Sequence, residues 1–450
     1  MERGLTGVDH THGSHQIRHR PLNRAILLLI VICLHHGIYP VFHELSQRLV
    51  GLIVAATILV FGIGSAASES ADEQYSSRAS DGVHSDTHYL RAERIIDQGL
   101  AEEWGAAQLF EALDLNEETQ CHSFADRAFL RERHDRWSEA VGLLEQIDPD
   151  GLNAWLLGLS PPPKAVERET NNQLRCLVRA LITATHLDAF EIRVFPHIRG
   201  QFGGRVRDVA HLAELIEEHP AWLTRTVNAL TRSIFRDMGT QGFIWYRKFR
   251  FEGRSFNLVS EEAASLCGLA AGQTWKPEHP THQRCWRNTL STTQREREIL
   301  TASAAPGLSR HHWGTDVDIL GLNPRVFVPG GALHDDWRWL EANALDHGFF
   351  QPYGPSSDET LAHMEERWHW SYYPIAQALW DHIRHNPERF EETLFHHWDR
   401  LERRWGAGRG PFFDHMRENW QAYLFHIDIP SVSEERSVDA QELPRATSFP

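Results

Sequence analysis

Cysteine is scarce in this chain and never spaced as C-x-x-C, so a cysteine zinc cluster and a thioredoxin-like redox motif are both excluded. Basic charge is also short. Against 45 Lys and Arg stand 61 Asp and Glu, a formal net charge of −16, which argues against nucleic acid as a partner because phosphate binding needs a basic face. No G-x-S-x-G elbow surrounds any serine and no H-E-x-x-H helix is present, so neither a serine-hydrolase nucleophile nor the commonest zinc-protease helix is offered.

What is present is enough apolar chain for sizeable cores: 41% of 450 residues are hydrophobic and 24% charged. Four of the five cysteines, Cys121, Cys176, Cys267 and Cys285, are compatible with two disulfides in any of three pairings or with isolated buried thiols, while Cys33 lies in an apolar run. Two apolar runs open the chain, Ala25 to Phe42 and Leu49 to Gly64, the second preceded by Arg48 and followed by small residues. Residues 1–67 therefore read as a signal or membrane region, with the second run either a cleaved secretory signal or an uncleaved anchor. The first run makes residues 1 to about 45 either an upstream extension or half of a two-pass hairpin. Both readings place the bulk of the protein in the cell envelope, with the membrane as a partner through this segment.

Residues 68–88 are polar and read as a flexible linker. Residues 89–235 carry apolar positions at three- and four-residue intervals and read as helical, interrupted at SPPPKAVE. No role for this region is legible. From about Gly242, GFIWYRKFRFEG and CWRNTLSTT read as strands by aromatic content and alternation. Residues 236–430 therefore read as an α+β catalytic domain with a small antiparallel sheet, and 431–450 as a disordered tail.

Two segments carry chemistry. In PGLSRHHWGTDVDI, His311 and Asp318 are seven residues apart with Gly314 between them. If Val317 and Ile319 face a core, Asp318 points to the other face of the strand, and a turn at Gly314 can fold His311 beside it. In EERWHWSYYP, Glu366 and His369 form an E-x-x-H pair. A His, a carboxylate and a second His are the ligand set of a catalytic zinc, with Glu366 beside it as a base.

Together these segments resemble the LAS group of zinc peptidases, and within it the D-alanyl-D-alanine carboxypeptidase (VanY-like) branch. That branch reads S-x-H-x-x-G-x-A-x-D and then E-x-x-H-W. Ser309, His311, Gly314 and Asp318 match the first pattern, and Glu366, His369 and Trp370 the second. The intervening WLEANALDHGFFQPY resembles the branch's linking helix, Gly-Phe and strand. The resemblance covers about residues 290–380. It implies an LAS/hedgehog-like fold, a Zn2+ cofactor held by His311, Asp318 and His369, and Glu366 as general base. It also implies substrate contacts at Ser309 and Trp370, and peptidoglycan stem peptide as the substrate. Cleavage at a terminal D-Ala–D-Ala bond is the first expectation. Cross-link or L-Ala–D-Glu endopeptidase activity and a non-catalytic zinc module are the alternatives.

Two departures accompany the match. Asp316 stands where the branch has a small residue, and is expected to point away at the surface. The branch's substrate-binding arginine, in a segment like S-x-Y-R, is assigned to Arg295 in LSTTQREREIL, with Arg287 and Arg297 next. His312 is expected beside the site or at the surface, His363 in solvent, and Ser309 to support its turn through a hydrogen bond.

Overall fold

The computed structural model describes residues 84–115, 120–184, 190, 194–355, 364–406 and 411–432, the first seven as backbone only. The two apolar runs, His363, most of the expected linker and residues 433–450 lie outside the described residues. Chain contacts separate Met1–Ser80 from a unit spanning Asp81–Pro450, and all that follows concerns the latter.

Helices dominate its first half, as the three- and four-residue spacing predicts. The first, His84–Ala101, begins inside the stretch read as linker. Arg127–Ile147 is capped by Asp126, whose side chain accepts from Ala128 N–H, and it buries Leu130, Trp137, Val141 and Leu144 on one stripe. The break at SPPPKAVE is real: one helix ends at Leu156 and the next, Lys164–Thr183, starts beyond the prolines. Val209–Glu218 and Pro220–Leu230 complete the predicted helical run.

Beyond it the expectation fails in two places. GFIWYRKFRFEG is not a strand: Met238–Phe249 is a helix capped by Asp237, with Gln241, Trp245, Lys248 and Phe249 buried at helical spacing. Its aromatic content imitates a strand while its burial period is that of a helix. CWRNTLSTT is also not extended. It forms one π-helical turn at Cys285–Thr289, then a capping box in which Ser291 and Gln294 start the helix Thr292–Leu300.

The strands are short. In chain order they are β1 (Thr231–Arg232), β2 (Phe256–Leu258), β3 (Thr274–Trp275), β4 (Asp316–Ile319), β5 (Phe349–Phe350) and β6 (His369–Tyr372). A four-stranded antiparallel sheet runs β1-β4-β6-β5, and β2 pairs with β3 apart from it. Asp316 lies opposite Ser371, Val317 opposite Trp370 and Asp318 opposite His369. The fold is α+β, a small antiparallel sheet within a helical body. One apolar cluster extends from Leu109 to Val432, so the helices before residue 235 share a core with the sheet. Disulfides join Cys121 to Cys176 and Cys267 to Cys285. Among the described residues no helix is long and apolar enough to cross a membrane.

Candidate metal centre

Strand alternation sorts the site. On β4, Val317 and Ile319 are wholly buried in the core and Asp318 takes the opposite face, as the sequence predicts; Asp316 shares that face. On β6, His369 and Ser371 join them, and Trp370 and Tyr372 turn away. His311 arrives from the 3₁₀ turn Arg310–Trp313, which ends at Gly314 in the left-handed region (φ 76°). A Cβ there would lie 2.6 Å from Pro162 Cγ, so glycine meets both a backbone and a packing demand. The helical half buttresses this loop directly: Trp155 Nε1 donates to the Trp313 carbonyl at 3.1 Å.

His311, Asp318 and His369 each offer a ligand atom within 4.8 Å of the others, and all three are buried. Their outer partners decide which atoms are free. His311 Nδ1 faces the Asp316 carbonyl at 3.2 Å; it must donate, which leaves Nε2, 3.4 Å from Asp318 Oδ2, as the ligand atom. His369 Nε2 donates to Asp316 Oδ1 at 2.9 Å, leaving Nδ1 beside Asp318 Oδ1 (3.5 Å) and Glu366 Oε2 (3.4 Å). Each imidazole is thus oriented by an acceptor behind it, as metal-binding histidines usually are. Burial pulls His369 down, but hydrogen bonds with Asp316, Asp318 and Glu366 outweigh it and hold it well above the usual histidine range. Burial would raise Asp318, yet His311 and His369 keep it below the ordinary carboxylate range. This concentration of acceptor charge suits a divalent cation in place of a proton. The donor set of two imidazoles and a carboxylate fits such an ion.

Asp316 is not at the surface. It is fully buried, with Oδ1 also accepting from Arg310 Nε at 2.9 Å and Oδ2 accepting from Thr315 (2.7 Å) and Ser371 (3.0 Å). The expectation failed because Arg310, 2% exposed and stacked over Trp313, supplies the countercharge from inside the protein. Asp316 is the carboxylate behind His369. His312 is buried as well. It accepts from Gly307 N–H at Nε2, so its Nδ1 carries the proton and donates to the Arg236 carbonyl. Burial pushes it down to about 4, so it stays neutral.

A cavity of about 590 Å³ opens onto the centre, lined among others by Arg236, Ser309, Tyr353, Glu366 and Trp368. Glu366 holds Oε2 3.4 Å from His369 Nδ1, its backbone carbonyl closing a turn with His369 N–H at 3.0 Å. Ser309 lines the cavity, but its hydroxyl makes no capping bond; its carbonyl holds the turn by accepting from His312 N–H. Trp370, on the far face of β6, does not line the cavity, and its indole N–H has no hydrogen-bond partner among the described residues.

Arg295 is not brought to the centre. It stacks on Phe249 at 4.9 Å and lines a separate hollow with Trp286 and Arg287. Arg297 is exposed on the same helix. LSTTQ is a helix cap, which is why it imitated the motif. Arg236 is at the site instead, its Nη2 4.0 Å from Asp318 Oδ2. Ser233 Oγ accepts from its Nε and Nη2 (3.1 and 2.7 Å) and Gln241 Oε1 from its Nη1 (2.7 Å). The signal was legible: Ser233-Ile234-Phe235-Arg236 is S-x-Y-R with Phe for Tyr, and it precedes LSTTQREREIL in the chain.

Residues 211–375 match the family model described as VanY, D-alanyl-D-alanine carboxypeptidase. No curated protein matches the chain. Among solved structures, "VanYB in complex with D-Alanine-D-Alanine" is similar at 22% identity over 41% of this chain and 77% of that chain, with a TM-score of 0.20, too low to carry an argument. Over residues 211–375, which hold Arg236, His311, Asp318, Glu366 and His369, the chain is VanY-like.

Proposed function

We propose that this protein is a zinc-dependent peptidase of the cell envelope that removes the terminal D-alanine from peptidoglycan stem peptides. The observation that carries the reading is the buried His311–Asp318–His369 cluster at a cavity wall, with Glu366 and Arg236 beside it. Two imidazoles and one carboxylate favour zinc over calcium or magnesium. When bound, zinc polarises a peptide carbonyl and acidifies water. The remaining work falls to the chain's own groups. Glu366 takes the proton from the attacking water and returns it to the leaving amine. Arg236, held rigid by Ser233 and Gln241, faces the charge that develops on the carbonyl oxygen. Asp316 keeps His369 in the tautomer that presents Nδ1.

A non-catalytic module loses its two supports in this reading, since Asp316 backs a ligand and an arginine reaches the cavity. An endopeptidase would use the same atoms, and the far end of the cavity distinguishes it. Two disulfides favour an oxidising compartment. The apolar segments at Ala25–Phe42 and Leu49–Gly64 are the proposed route there, as signal or anchor, and the proposed attachment to the membrane.

The test is release of D-alanine from a pentapeptide stem. We expect release to stop with chelator and return with zinc. Glu366→Gln should retain bound zinc while kcat falls by about 10²–10⁴-fold. Full turnover by that variant, or absence of stoichiometric metal in the unaltered protein, would sink the reading.

A further inference from the structure

Two arginines that the metal centre does not use, Arg287 and Arg295, meet in a second hollow. It measures about 350 Å³ and is lined by Phe249, Arg250, Trp286, Arg287 and Arg295, none of which lines the cavity at the metal centre. Every charged group in its wall is a guanidinium, in a chain whose net charge is −16. These arginines are poorly matched within the protein. Arg295 finds hydrogen bonds only at the start of its own helix, Nε lying 3.5 Å from the Ser291 carbonyl and Nη2 3.4 Å from Thr292 Oγ1. Arg250 has Glu252 Oε1 3.6 Å from its Nε, too far for a hydrogen bond, and that buried nitrogen has no hydrogen-bond partner among the described residues. Arg287 is exposed, and among the described residues no carboxylate forms an ion pair with it or with Arg295. The wall itself is rigid. Trp286 and Arg287 sit on the π-helical turn Cys285–Thr289, which the Cys267–Cys285 disulfide anchors at its first residue. Trp286 Nε1 donates to the Phe249 carbonyl at 3.0 Å, and Arg295 stacks over the Phe249 ring at 4.9 Å. Single π-helical turns occur often at functional sites, and like charges gathered without a counterion repel one another.

We infer that this hollow is a second binding site, for the phosphate group of a small organic phosphate. A guanidinium is a planar fork that takes phosphate oxygens bidentately. Three such forks suit a tetrahedral anion, whose oxygens do not share one plane, better than a flat carboxylate. The volume is that of a small-molecule site rather than of a bare ion, which leaves room for an organic part beside the rings of Phe249 and Trp286. The anion supplies the countercharge that the protein withholds. A free phosphomonoester and the phosphodiester of a lipid headgroup share this chemistry. The site stands apart from the peptidase reading, because the two hollows have no lining residue in common.

The experiment is calorimetric titration of the zinc-loaded full chain, in neutral detergent, with glycerol 3-phosphate as the monoester and glycerophosphoglycerol as the diester. We expect saturable binding of at least one of them, weakened at least about tenfold by Arg287→Gln and by Arg295→Gln, as the loss of one charge-assisted contact requires. Release of D-alanine should be the same in both variants as in the parent. Tighter binding of the monoester assigns the site to a free phosphate ester, and diester binding at least as tight assigns it to a headgroup. Arg287 is exposed, so Arg287→Gln decides even if Arg295→Gln does not fold. Failure of both probes to bind, or binding that Arg287→Gln retains in full, overturns the inference and leaves the peptidase reading standing.

Discussion

Each face of the four-stranded sheet carries a buried arginine–carboxylate pair, and the two end differently. On the face of His369 and Ser371, Arg310 meets Asp316 at 2.9 Å. On the face of Trp370 and Tyr372, Arg133 meets Glu169 at 2.8 Å. Both oxygens of Glu169 are used up inside the core: Tyr372 Oη donates to Oε1 at 2.8 Å, and Trp137 Nε1 to Oε2 at 2.9 Å. Asp316 is equally satisfied, but one of its partners is His369, whose other nitrogen is turned toward Asp318, Glu366 and the cavity. A buried ion pair is therefore no mark of a site. The mark is a network that ends in unshared lone pairs at a cavity wall. The Glu169 network ties two helices of the first half, Arg127–Ile147 and Lys164–Thr183, to the strand that presents His369.

The comparison breaks most visibly at Asp316. Asp316→Asn weakens the acceptor behind His369, and zinc affinity measured by competition with a chromophoric chelator should fall about 10–100-fold. The same change leaves Arg310 buried without its carboxylate, at a cost of roughly 3–5 kcal/mol in stability. Unaltered zinc affinity beside a lowered melting temperature would reduce Asp316 to a countercharge for Arg310, like Glu169 for Arg133.

How much of this was legible follows from what each residue answers to. Alternation across Asp316–Ile319 and the glycine turn at Gly314 obey local rules, so the face of Asp318 and the return of His311 beside it could be read from the sequence. The linking segment also behaved as expected, with a helix to Asn343, a left-handed Gly348 (φ 79°) and a strand at Phe349–Phe350. Asp316 could not be placed, because its burial depends on Arg310 being trapped between Trp313 and Phe350, a tertiary fact. Arg236 was missed for another reason. Its four-residue pattern precedes a helix whose aromatics imitate a strand, although Asp237 and the burial of Gln241, Trp245 and Lys248 mark helical spacing. Gly158 shows the same limit from the helical half: it has φ 70°, and a Cβ would lie 2.4 Å from His312 Nδ1, a constraint visible only once the halves pack.

Tyr372→Phe sharpens the comparison from the other face. It removes one donor from Glu169 and should cost about 1.5–3 kcal/mol, the range for hydrogen bonds to charged groups. Zinc affinity should not change, because Arg133 and Trp137 still hold Glu169 and the strand register is carried by the backbone. A parallel fall in zinc affinity would show that the two faces are coupled through β6 and that the separation drawn between them is wrong.

The last comparison concerns a buried carboxylate that, among the described residues, forms no ion pair and lines no cavity. Glu296 is fully buried between the helices Thr292–Leu300 and Asp414–Phe425. Its Oε2 accepts from Met416 N–H at 3.2 Å, and its Oε1 has no partner. Burial pushes it up to about 8, only partly opposed by the Met416 N–H. An acid whose folded value lies above its unfolded one, about 4.3, contributes stability that is complete below pH about 4 and is lost as pH rises to about 8. Glu296→Gln keeps the shape and cannot ionise. Its melting temperature should match the parent near pH 4.5 and exceed it near pH 9. The same substitution at Glu169 would instead destabilise, because Arg133 would lose its partner. If Glu296→Gln lowers stability at pH 9, a cation must reach Glu296, and its place as the unpaired member of the three falls.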